Sequence, residues 1–224
     1  MDRTSGNRRQ LAGLFAVGGL AMMVLLLAHP HEHARAFADL VELEIRNRVL
    51  NEFVHGGAIV VLILLLAAHV ALARAVARTF NLSEIVAVTA FGAGCILMMA
   101  SLVLDGFVTP MLAVTYRAAE DTSLQLAIQA QLRFCALIIR TLMPMALLAF
   151  AGSAVAWLRP LVQLGGRGRL IGGLGAVIGV SIGLMISAAT PETSSHIILA
   201  GLFLVSLWQF ALAAMVQGDQ SVTS

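Results

Sequence analysis

The sequence predicts an all-α polytopic membrane protein, a bundle of six transmembrane helices with an amphipathic outer helix between spans one and two. Three observations carry that expectation. Of 224 residues, 59% are hydrophobic and 12% charged, whereas soluble domains run about 45–50% apolar and about 25% charged. Apolar runs of about 17–25 residues, the length that crosses a bilayer, recur along the chain. Nothing alternates over about ten residues as a barrel strand must, and lipid leaves the backbone no third way to satisfy itself. This composition excludes a soluble enzyme, a disordered chain and a nucleic-acid partner. The net charge of +2 is too small to point to an acidic partner.

The expected spans are 11–28, 53–73, 85–104, 132–158, 170–189 and 196–216, in one domain covering 1–224. Arg3, Arg8 and Arg9 precede the first, Arg74 and Arg78 follow the second, and Arg159, Arg167 and Arg169 follow the fourth. If all six cross, those three basic segments share one side, which the positive-inside rule makes cytoplasmic. The expectation is a bacterial inner-membrane protein with both termini in the cytoplasm. Arg8-Arg9 also has the outline of a twin-arginine signal with a cleavage site at Ala34-Arg35-Ala36, but an anchored first span accounts for the same residues.

The outward loops carry pattern of their own. Phe37, Leu40, Val41, Ile45, Val49 and Phe53 recur near helical spacing among charges, as in an amphipathic helix. It either lies at the interface or extends span two outward. A second short helix is expected around Ser123–Gln131. In span five, Gly172, Gly175, Gly179 and Gly183 form a smooth ridge for close helix approach. Its partner is another span, a second copy or a larger membrane complex. Cys95 and Cys135 read as small buried hydrophobes. The ten methionines, Met22-Met23 and Met98-Met99 among them, read as packing more than as copper ligands.

Histidine is where the sequence turns informative. His29, His31 and His33 lie just outside span one, His55 opens span two and His196 opens span six, all on the outer side. Pro30 disfavours α geometry at His29, and in extended chain the alternating imidazoles project to one side. His29, His31, His33 and His55 are therefore the expected metal ligands, with Glu32 as another candidate. Zinc or copper suits a nitrogen-rich set, whereas Fe(II) is expected to want more carboxylate. The bland alternative is a solvated His-rich loop. Asn47, Asn51 and His55 make a polar stripe in which Asn51 can orient His55.

Intramembrane charge adds Arg140, about eight residues into span four, with Asp105 as its expected counter-ion and Glu192 as the second choice. Pro144 removes the bond to the Arg140 carbonyl, so a kink can line a cavity there. Asp105 and Arg140 are the expected catalytic pair if there is catalysis, the alternative being a structural ion pair. His55 and His69 are 14 residues apart on one face, a spacing that resembles the two-haem helices of cytochrome b proteins. The resemblance covers one helix and implies haem at His55, with His196 as the only candidate for the second ligand. Four functions follow for the same residues. The first is a metal-binding protein, possible metalloenzyme chemistry included, acting on a membrane-associated substrate. The others are a proton-coupled transporter, a haem-binding protein and a non-catalytic subunit of a membrane complex.

Overall fold

The computed structural model describes residues 3–29, 36–76, 81–190 and 194–218, and every regular element among them is helical. The helices are α1 (Arg3–Ala28), α2 (Phe37–Val76), α3 (Leu82–Val103), α4 (Thr109–Ala118), α5 (Thr122–Ala156), α6 (Leu158–Gln163), α7 (Gly166–Ser187) and α8 (Ser194–Gly218). A π turn, Leu104–Val108, joins α3 to α4 without a break. Six helical stretches are long and apolar enough to cross a membrane. The molecule is an all-α polytopic bundle, as expected.

Helix length divides these stretches into two sets. α1, α7 and α8 have 26, 22 and 25 residues, which suits a hydrocarbon core of about 30 Å. α2 has 40, and the continuous stretches Leu82–Ala118 and Thr122–Gln163 have 37 and 42. At about 1.5 Å per residue these three reach about 55–63 Å, far more than one bilayer. All the excess lies at one end, because at the other the chain turns back within a few residues after α2 and after α6. At the projecting end α4 packs on both α2 and α5.

The amphipathic segment is thus the first turns of α2 rather than a separate element, and Ser123–Gln131 is the start of α5. No Gly or Pro interrupts 37–55, so helix propagates through it. Arg48 and Glu52 pair one turn apart at 2.7 Å, and Arg117 of α4 reaches Glu42 at 3.2 Å. The Phe37 and Tyr116 rings meet edge-on at 5.1 Å. Asp121 caps α5, its carboxylate accepting from the Ser123 hydroxyl and amide at 2.6 and 2.9 Å. Those bonds hold its carboxyl below the usual aspartate range.

Within the membrane the neighbours run α1, α2, α3, α5, α7, α8 and back to α1. Glycine lets them approach closely. A methyl at Gly94 would stand 2.6 Å from the Phe150 ring, one at Gly175 2.5 Å from Trp208, and one at Gly179 2.6 Å from the Ala151 carbonyl oxygen. On the opposite face of α7, Leu170, Leu174, Val177 and Leu184 are exposed to lipid. The span-five ridge is therefore engaged within the chain: Gly172 meets Leu158 and Leu161, Gly175 meets α8 and Gly179 meets α5. Gly183, by contrast, has open space beside it. Gly179→Ala is expected to cost about 1–3 kcal/mol through overpacking, while Gly183→Ala is neutral or slightly stabilising. Unfolding of the two variants in detergent measures the difference.

Candidate metal centre

At the projecting end, the end of α1, the wall of α2 and the π turn bring three side chains together. Local sequence favours the π turn. Pro110 has no N–H to offer the Gly106 carbonyl, and its ring crowds that carbonyl, which disfavours a regular ladder there. The chain inserts an extra residue instead. The Leu104 carbonyl then accepts from both the Thr109 amide and its hydroxyl, the latter at 2.9 Å. Such π insertions re-aim side chains and recur at functional sites. Here the insertion turns Asp105 toward α2.

The Asp105 carboxylate oxygen Oδ2 stands 3.1 Å from Nε2 of His55 and 3.9 Å from Nε2 of His29. The two imidazoles meet at 5.1 Å between centroids with planes at 68°. One ligand atom from each of His29, His55 and Asp105 lies within 4.8 Å of the others. In a tetrahedral shell with bonds of about 2.0–2.1 Å, neighbouring donors are about 3.3 Å apart, so these separations bracket that value. His55 is 1% exposed, whereas the side chains of His29 and Asp105 are 35% and 29% exposed. The cluster has a closed floor and an open top.

His55 is held tightly. Its Nδ1 lies 2.8 Å from the Asn51 carbonyl oxygen. A carbonyl only accepts, so Nδ1 carries the hydrogen and Nε2 is the nitrogen presented to Asp105. Gly106 leaves room for the ring: a methyl there would press on the His55 Cβ and lie 2.6 Å from Cγ. The Asn51 side chain donates to Glu44 at 3.2 Å, and its Oδ1 is buried without a protein partner. Glu44 lies within electrostatic reach of Asp105, His55 and His29.

Of the ligands expected from sequence, His29 and His55 come together, and Asp105 joins them as a donor rather than as a partner of Arg140. His31 and His33 lie outside the described residues, as do Glu32 and Glu192. Arg140 is exposed on α5 and makes no ion pair with Asp105. His196 is exposed near the start of α8 and is not part of the cluster. Asn51 does orient His55, through its backbone rather than its amide. Sequence reasoning missed Gly106 and Glu44. The Gly106–Pro110 spacing inside a helical run was the available signal for the first.

His69 has a different environment. It is fully buried, its Nδ1 accepts from the Trp157 indole at 3.1 Å, and its Nε2 therefore donates to Gln209 Oε1 at 3.2 Å. Phe91 stacks on it at 3.9 Å and Phe15 meets it edge-on at 5.3 Å. Neither nitrogen is left for another ligand. No family model, curated protein or solved structure matches this chain.

Two outcomes follow from these contacts. Gly106→Ala is expected to displace His55 and cost about 1–3 kcal/mol, whereas Gly152→Ala, where nothing stands in the way, is tolerated. His69→Phe keeps the stacking but strands the buried Trp157 N–H and Gln209 Oε1. At about 1–3 kcal/mol for each unmet group, it should lower stability by at least about 2 kcal/mol. Thermal unfolding of the detergent-purified variants against wild type measures both.

Proposed function

We propose that this chain is a metal-binding protein of the bacterial inner membrane, holding one ion with His29, His55 and Asp105 at the periplasmic face. One observation carries the reading. With its Nδ1 hydrogen committed to Asn51, His55 presents Nε2 to a carboxylate oxygen 3.1 Å away. A nitrogen and a carboxylate oxygen at that distance need a positive species to join them, and a metal ion held with His29 as a third donor meets that need. A metal-ligating histidine usually donates its other ring hydrogen to a carbonyl or carboxylate, as His55 does.

The periplasmic assignment rests on the Arg segments at the opposite end of the bundle. Two imidazoles and one carboxylate are a mixed nitrogen and oxygen set that suits zinc or copper. An ion in such a set supplies Lewis acidity to a water or oxygen ligand. The chain's own contribution is to fix the His55 tautomer, to aim Asp105 from the π turn and to close the floor with Gly106.

A second reading, proton-coupled transport, draws on the same contact, since an imidazolium donates to both Asn51 and Asp105. The structure favours it less. His69 lies about 21 Å along α2 from His55 inside an aromatic nest, and Arg140 faces outward. Among the described residues no polar chain links His55 to the far end.

The test is elemental analysis of detergent-purified protein dialysed against zinc or copper, beside Asp105→Asn and His29→Ala. About one ion per chain is expected in wild type, with a melting temperature that rises on loading and falls back on chelation. Both effects should be lost in the variants. No bound ion in wild type, or equal binding in Asp105→Asn, would overturn the metal reading. A His31→Ala/His33→Ala variant reads separately whether that run contributes. Proton flux in proteoliposomes that is abolished by Asp105→Asn would move the assignment to the second reading.

A further inference from the structure

Arg140 is the strongest observation that the metal reading leaves unused. It is exposed on α5, and so is Arg133 seven residues earlier. Seven residues are nearly two turns, so the two guanidinium groups stand one above the other on one helix face. Neither makes a hydrogen bond or ion pair among the described residues. Leu137, between them, is 61% exposed, and Leu148, about two turns below Arg140 on nearly the same side of the helix, is 46% exposed.

Depth follows from the packing. Gly94 of α3 sits against Ala146 of α5. Arg140 is six residues from Ala146 toward the projecting end, about 9 Å, whereas Asp105 is eleven residues from Gly94 in that direction, about 16.5 Å. Arg140 therefore lies about 7.5 Å on the membrane side of the Asp105 level, and Arg133 about 3 Å beyond that level. α1 ends beside Asp105, at His29, so that level marks the rim of the hydrocarbon region. An arginine just inside the rim extends its stem along apolar surface and places its head among lipid phosphates.

We propose that Arg133 and Arg140, flanked by Leu137 and Leu148, form a binding site for an anionic phospholipid in the leaflet at the metal-cluster end. Two arginines two turns apart, with no acid beside them, match a phosphate and a second headgroup oxygen. Leu137 and, deeper, Leu148 match the acyl chains. A basic side chain near an anionic membrane surface gains roughly a fivefold preference.

Native mass spectrometry of the full chain, with phosphatidylglycerol titrated against phosphatidylcholine, tests this. Wild type is expected to retain phosphatidylglycerol about tenfold or more over phosphatidylcholine. The preference should be largely lost in Arg133→Gln/Arg140→Gln and largely kept in Arg140→Lys, which preserves charge. Arg74→Gln, at the other end of the bundle, serves as the control. Equal retention by wild type and the double variant, or a loss no larger than in Arg74→Gln, overturns the site. So does a wild-type dimer that dissociates in the double variant, because the arginines would then face a second copy. A melting curve for each variant shows that the bundle is intact, and the result does not depend on whether the cluster binds metal.

Discussion

Hydrocarbon offers neither donor nor acceptor, so a histidine buried in this bundle depends on the protein for its partners. His69 and His55 are two responses to that constraint on one helix. His69 is answered completely: an indole gives to one nitrogen, an amide oxygen takes from the other, one phenyl ring stacks on the imidazole and a second meets it edge-on. Chemistry has no foothold there, and the residue ties α2 to α5 and α8. His55 is answered on one nitrogen only. The other meets a carboxylate that, like it, has only lone pairs to offer while the ring is neutral. Burial is similar at the two positions, so it is the unbalanced partner set that separates a structural histidine from a site.

That imbalance is built by helix lengths and one backbone irregularity. Because α1 ends at the rim while α2 and the α3–α4 stretch continue past it, His29 comes off a helix terminus onto the exposed flank of two continuing helices. A regular α-helix through 104–110 would present a different face to α2. The π turn before Pro110 aims Asp105, and glycine at 106 spares the His55 ring a collision. One short stretch of the chain thus supplies orientation and space together.

The spans, the helical class and the outer extension of α2 were legible because each is written in contiguous residues. Apolar length and 3.6-residue spacing survive without knowledge of neighbours. His29 and His55 were legible as a pair because topology places both at one end. What sequence could not convey were pairings across long separations: Asp105 with His55 lies 50 residues apart and His69 with Gln209 140 apart. Arg140 was misread for a related reason. An intramembrane charge is expected to turn inward to a counter-ion, but α5 has its inward face filled by Leu132, Cys135, Ala146 and Phe150. The arginine is left on the lipid side, near enough to the rim for its length to matter.

The metal and proton readings of the cluster share a physical requirement that narrows both. Either species would be held by both Nε2 and Oδ2, and either is lost if that pairing is broken. They differ in what lies beyond it. A proton is satisfied by the two atoms it bridges, which makes His29 superfluous. An ion needs further donors, and His29 stands where one would come from, its ring turned toward His55 and its Nε2 3.9 Å from the same carboxylate oxygen. A hydrogen bond at 3.9 Å is too long to stabilise an ion pair by itself, whereas an ion between the donors would shorten the effective contact. The placement of His29 beside both groups is what the metal proposal draws on, since it offers a third donor.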